Sequence, residues 1–282
     1  MVLIYGGGIF MQIAFSGKLG SGKSTVCDIL NKQYGYSIYS TGTIQRKIAE
    51  EMGITTLELN KRMREDPALD HVIDDAVTEL SRQRRGEKLI YDSRMAWHFA
   101  EYTFKVYMYV DPTVAARRVL SADRGSVEKY ETLEEAREML ISRSVEENTR
   151  FKKIYGVDNF DYNNYDLIID STTATPELIA KVIAENAEEF EKKPFEQTKL
   201  MLSPYVLFPT KPFGTDDGDD IVIALKDGFH FVLKGHSKLT ELQNENVSFA
   251  MATLTEAEVV IDHDIITSYE QNGNFIYQSK AF

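Results

Sequence analysis

One cysteine in 282 residues, Cys27, leaves no partner for an internal disulfide, which fits a reducing compartment. Long apolar runs are lacking too. Lys105–Val110 and Ile221–Leu225 fall far short of the roughly 20 residues that span a bilayer. No basic segment precedes an apolar stretch of signal-peptide length, so a cytoplasmic location is expected. Positive charge is scarce: 32 Lys and Arg stand against 44 Asp and Glu, a formal charge of −12. The deficit is present in both halves, and residues 195–282 hold 6 basic and 13 acidic side chains. Such a surface repels a phosphodiester backbone, so neither nucleic acid nor membrane is an expected partner. A small anionic substrate would need a local cluster of cations working against the overall sign.

With 43% hydrophobic residues the chain can bury a core, and its length suits two domains. Met1–Phe10 (MVLIYGGGIF) is expected to be a non-native or disordered extension. Its three glycines are what a purine-rich ribosome-binding site would encode, so Met11 is the expected start. From Met11 short apolar strands alternate with helical patterns, which predicts an α/β domain with a parallel sheet over residues 11–194. Strands are predicted at Met11–Phe15, Tyr36–Tyr39, Lys88–Tyr91, Lys105–Val110 and Asp166–Ile169. The charged stretch Glu188–Pro194 then marks a boundary near 195. Beyond it a smaller α+β domain is expected, with strands at Ile221–Leu225, Phe229–Leu233, Phe249–Leu254, Val259–Ile261 and Phe275–Tyr277. Asp227-Gly228 is a hairpin signal between the first two of these.

Gly17-Lys18-Leu19-Gly20-Ser21-Gly22-Lys23-Ser24-Thr25 matches the Walker A pattern between a strand and a helix. Glycines let backbone N–H groups close on phosphate oxygens, and the helix beginning near Lys23 adds its positive dipole end. Gly17, Gly20, Ser21, Gly22, Lys23, Ser24 and Thr25 are the expected ATP-binding residues. Lys23 is expected to reach the β- and γ-phosphates, and Ser24 to ligate Mg²⁺.

Three further segments separate a kinase from other nucleotide-binding machines. The first is Tyr39–Arg46 (YSTGTIQR), where Thr41 and Arg46 can approach one phosphate across a helix start. The second is Ile90–Arg94 (IYDSR), at the carboxyl end of a predicted strand, where open α/β sheets bind ligands. The third is a helix with Arg143, Glu147 and Arg150 on one face. Together with the loop these segments resemble cytidylate kinases, especially their short archaeal-type branch. The resemblance implies a nucleoside monophosphate kinase-like P-loop fold, with ATP and Mg²⁺ serving transfer to a small anionic acceptor, CMP or dCMP first. It also implies Thr41, Arg46 and Arg94 as acceptor ligands and Asp92 near Mg²⁺ through water. Arg143 and Arg150 become lid arginines that act with Lys23 in catalysis. Thr41 stands where the family has serine, and Ser93 where it has glycine. Arg117, Arg118 and Arg124 are unranked additions to the lid, and Trp97 is expected to be a packing residue. Base contacts are sought among Arg62, Asp66, Asp70 and Asp74. Dephospho-coenzyme A as acceptor, or a nucleotide-binding regulatory module without turnover, are the alternatives.

In the C-terminal region Gly235-His236-Ser237-Lys238-Leu239 after a strand faintly resembles the ParB-like and sulfiredoxin-like fold. That resemblance implies a phosphate-binding turn at Gly235, His236 and Lys238. The region is expected to bind a protein partner or a regulatory ligand.

Overall fold

Strand β1 (Gln12–Gly17) is buried at every position, as expected of a strand covered on both faces. In the computed structural model, which describes residues 10–55, 58–59, 62, 68–121 and 130–272, it lies between two parallel neighbours, β3 (Leu89–Asp92) and β4 (Thr103–Tyr109). β2 (Ser37–Ser40) extends the sheet beside β3, and β5 (Leu167–Asp170) beside β4. The order is therefore 2-3-1-4-5, all parallel, with every carboxyl end on one side.

Parallel pairing demands crossovers, and helices supply them. They are α1 (Lys23–Tyr34), α2 (Thr41–Glu51), α3 (Ala68–Gln83), the short α4 (Ala96–Phe99), α5 (Pro112–Ser121) and α6 (Leu133–Tyr155). α1 and α7 (Pro176–Lys192) cover one face, where Leu30, Ile179 and Ile183 bury Phe15, Phe104 and Val106. Tyr107, Tyr109, Phe151, Tyr162 and Ile168 form the core on the other face. Trp97 is 4% exposed and its indole N–H donates to Asn159, so it packs as expected. No helix among the described residues is long and apolar enough to cross a membrane.

The sheet does not stop at β5. β6 (Lys199–Leu202) pairs parallel to it, and β10 (Ala250–Leu254) pairs antiparallel to β6. β8 (Ile221–Lys226), β9 (Phe229–Lys234) and β7 (Leu207–Pro209) complete one ten-stranded sheet. Residues 195–272 thus have no separate sheet, and Leu200, Leu202, Leu207, Ile223 and Val232 share a core with Tyr107, Tyr162 and Ile168. Asp170, fully buried at the end of β5, fastens the seam: it accepts from the Thr172 backbone N–H and hydroxyl and from the Ser203 N–H. Burial raises its pKa to about 6 despite those bonds.

Helices α8 (His236–Asn244) and α9 (His263–Asn272) pack in the same C-terminal region. The β8–β9 hairpin turns where expected, with positive φ at Asp227 (53°) and Gly228 (80°). Val259–Ile261 is not a strand. Val259 is buried from a loop whose carbonyl accepts from Lys226 Nζ at 3.0 Å, while Val260 is 79% exposed. The expected strand Phe275–Tyr277 lies outside the described residues, as do residues 1–9, Asp66, Arg124 and most of Thr56–Asp66.

Candidate active site

The loop between β1 and α1 is shaped by its glycines against the protein itself. A Cβ on Gly17 would come within 2.6 Å of the Met108 carbonyl oxygen, so β4 requires glycine there. Gly20 has φ 75° and would also press a Cβ to 2.9 Å from Ala115 of α5. Gly22, with φ 86°, opens α1 in the left-handed region, and no side chain caps this helix. No acidic residue sits in its first turn either, whereas α6 and α7 are capped by Thr132 and Thr175 and begin with glutamates. The start of α1 is thus left to an external anion. Ser21 Oγ, buried and without a hydrogen-bond partner among the described residues, adds an unused polar atom beside it.

Strand register assembles the other segments around this loop. Phe15 and Ser40 both sit opposite Asp92, on its two sides. The ends of β1, β3 and β2 therefore meet, and Thr41 Oγ1 donates to the Asp92 carbonyl at 3.5 Å. Asp92 itself is ion-paired with Lys23. Ser16 Oγ donates to the carbonyls of Ser93 and Arg94 at 2.9 and 3.0 Å, fixing the turn that presents Arg94. Arg94 in turn forms an ion pair with Glu147 of α6. A chain of contacts thus runs from the loop through Asp92 and Arg94 to the helix expected to form the lid.

The remaining residues take particular places. The Arg46 guanidinium folds near the first turn of its own helix, 3.7 Å from where a Cβ on Gly42 would stand. Arg143 and Arg150 share α6 with Glu147, and the Arg150 guanidinium lies over the Phe151 ring, 5.4 Å from its centroid. Ser24 and Thr25 are exposed in the first turn of α1. Asp74 is buried and accepts from the Tyr155 hydroxyl at 2.6 Å, while Arg62 pairs with Glu58, four residues earlier. Of Asp70 only the backbone is described.

Sequence reasoning missed three supports. Ser16 carried no motif signal. Arg118 could not be ranked, yet it donates to the carbonyl oxygens of Ser21 (3.3 Å) and Ser171 (2.5 Å), bridging the loop to the end of β5. Glu147, expected only to share a helical face with Arg143 and Arg150, is the partner of Arg94.

The C-terminal turn differs from the expected phosphate site. Asp217 Oδ1 accepts from the backbone N–H groups of Gly235 and His236 at 2.9 and 2.7 Å, where a bound anion was expected. His236 is 1% exposed and both ring nitrogens are engaged. Nδ1 meets Asp217 Oδ2 at 2.9 Å, and Nε2 accepts from the Thr210 and Lys211 N–H groups. Lys238 pairs with Glu241. Burial pushes the Asp217 carboxyl up, but hydrogen bonds from Lys211 and His236 outweigh it and hold the group well below the usual range. The turn's own carboxylate fills its anion position.

Burial also pulls the Lys23 pKa down to about 8. Above that pH the ammonium expected to meet phosphate is lost. We expect kcat/KM for ATP to fall by about tenfold per pH unit on the alkaline side. A pH profile checks this. Lys23→Arg should remove the limb, and a profile flat to about pH 9.5 would contradict the assignment.

The Cytidylate kinase-like family model matches residues 12–173, more than half of the chain. The chain is 31% identical over 187 residues to the cytidylate kinase of Thermoplasma volcanium, covering 65% of this chain and 94% of that protein. It is 35% identical over 171 residues to the cytidylate kinase of Ignicoccus hospitalis, covering 61% and 95%. The family match therefore ends just after β5, before the strands that widen the sheet.

Proposed function

Because the chain belongs to the cytidylate kinase-like family, we propose that it moves the γ-phosphoryl of ATP onto a nucleoside monophosphate, with CMP or dCMP the preferred acceptor. The observation that carries this reading is the junction at Asp92, where the ends of three parallel strands bring Lys23, Thr41 and Arg94 together. The loop and Lys23 hold the triphosphate. Arg94, with Arg46 and Thr41, holds the acceptor phosphate on the opposite side.

The acceptor oxygen is already anionic near neutral pH, so no general base has to create the nucleophile. What the chain supplies is in-line placement and cancellation of charge. Lys23 is drawn from Asp92 to the phosphate oxygens, and closure of α6 brings Arg143 and Arg150 over the transferred group while excluding water. Ser24 hydroxyl and Asp92 carboxylate are hard oxygen donors of the kind Mg²⁺ takes, and they would hold it. When bound, Mg²⁺ would neutralise charge on the phosphates. Release of Lys23 would leave the Asp92 carboxylate available for this.

Arg94→Ala removes a charged ligand of the acceptor and leaves Glu147 without its partner. We expect the acceptor KM to rise by about 30-fold or more with the ATP KM changed by less than about threefold. Arg46→Ala should do the same less strongly. Steady-state kinetics with each substrate varied in turn decides it, and an unchanged acceptor KM refutes the assignment.

The reading as a whole is tested by coupled ADP release over CMP, dCMP, UMP, AMP, GMP and dephospho-coenzyme A. Acceptor-dependent ADP formation, fastest with the cytidine monophosphates, is expected. ADP release indifferent to every acceptor would leave only a nucleotide-binding module.

A further inference from the structure

The lid helix α6 presents two stripes. One carries Arg143, Glu147 and Arg150, with Glu147 on Arg94. The other, offset around the helix, carries Leu140, Ile141 and Val145 and faces a cavity of about 560 Å³. The opposite wall is Leu225 and Phe229 of the β8–β9 hairpin, so this space is created by the strands that lie outside the family match. Lys18 and Leu19, at the start of the loop, line it, but none of Gly20–Thr25, Asp92, Arg94 or Glu147 does, so it adjoins the phosphate cradle without including it.

The volume is that of a small-molecule site, and the walls are chiefly apolar and aromatic. Three charged residues lie among them: Lys18, Arg137 and Asp227. Arg137 is already paired with Glu134 on its own helix. Among the described residues Lys18 has no such ion-pair partner. Its ammonium rests 3.9 Å from the centroid of the Tyr109 ring, and Asp111 and Asp170 act on it only through space. Burial lowers its pKa to about 8, so at neutral pH a poorly hydrated cation stands in the wall. An apolar body excludes water from the lined space, and one anionic group answers Lys18.

We propose that this cavity is a second ligand site, distinct from both nucleotide positions, which takes a small ring-bearing apolar molecule with a single anionic group. Occupancy would bridge the lid helix and the C-terminal hairpin.

The probe is 8-anilinonaphthalene-1-sulfonate, with its neutral counterpart N-phenyl-1-naphthylamine as control, both titrated by fluorescence against the full chain. Saturable one-to-one binding of the sulfonate is expected, at least about tenfold tighter than the neutral compound, and retained with saturating ATP analogue. Val145→Trp and Leu225→Trp each fill the space from a different wall and should abolish it. Kinase turnover in these two variants reports that they are folded. Lys18→Met should bring the sulfonate down to the affinity of the neutral compound. The proposal is overturned by unchanged sulfonate binding in either folded tryptophan variant, by displacement with the ATP analogue, or by absence of saturable binding.

Discussion

Lys23→Ala is expected to lower kcat by about a thousandfold or more while leaving the thermal unfolding transition in place. The reason is the position of the side chain. It leaves the first turn of an uncapped helix and reaches the one carboxylate, Asp92, that register places between β1 and β2. Among the described residues no other ammonium pairs with Asp92: Lys18, the other lysine of the loop, is turned to the Tyr109 ring. Loss of Lys23 removes charge that grows in importance as the phosphoryl moves, so the effect falls on kcat rather than on ATP binding alone. The fold should tolerate the change, because the ion pair is partly exposed, with side chains 17% and 18% accessible, and the remaining Asp92 can be hydrated. Single-turnover measurement of ADP formation checks the first half and circular dichroism melting the second. Turnover within about tenfold of the parent would remove Lys23 from the chemistry.

A chain ending at residue 194 is expected not to fold. If residues 195–282 were an independent domain, its removal would leave a working kinase. In the structure β5 loses its neighbour instead, and the exposed edge of a central parallel strand is an invitation to aggregate. Leu200, Leu202, Leu207, Ile223 and Val232 leave the core that buries Tyr162, Tyr165 and Ile168. At up to about 1.5–3 kcal/mol for each side chain left behind and uncovered, such as Tyr162, Tyr165 and Ile168, the loss is several kcal/mol. That is comparable with the whole stability of an ordinary domain. Asp170 also loses the Ser203 N–H that partly compensates its burial. Soluble, cooperatively melting protein from the truncated chain would show that the family-matched part stands alone.

Local features of this fold were legible in the sequence, and distant pairings were not. The loop at 17–25 could be recognised because its physics is written in consecutive residues, glycines first. The β8–β9 turn was equally local, since Asp227-Gly228 fixes the backbone by itself. β6, in contrast, is four residues long, and its partner β5 lies about thirty residues earlier across a helix. Nothing in Lys199–Leu202 says which edge it will cover. The charged segment before it suggested a linker, yet α7 continues to Lys192, and Phe190 and Phe195 meet edge to face with centroids 5.3 Å apart. Its charges belong to the solvent side of a packed helix.

The site divides in the same way. Arg46, Arg94 and Lys23 were identifiable by type and spacing, whereas the meeting of Lys23 and Thr41 at Asp92, beside Arg94, depends on strand register. His236 was legible as a residue after a glycine turn, but its role was decided by Asp217, nineteen residues earlier, which occupies the turn first. Motifs identified the chemical groups. Sheet pairing decided which of them meet, and which turn remains available to an anion.

The proposed pair of facing phosphate sites around Asp92 is best tested with one molecule that would fill both, adenosine joined to cytidine through five phosphates. Isothermal titration should give one-to-one binding at least about a hundredfold tighter than ATP or CMP alone, most of it lost in Arg94→Ala. Affinity no better than that of ATP, and indifferent to Arg94, would mean that the two sites do not face each other.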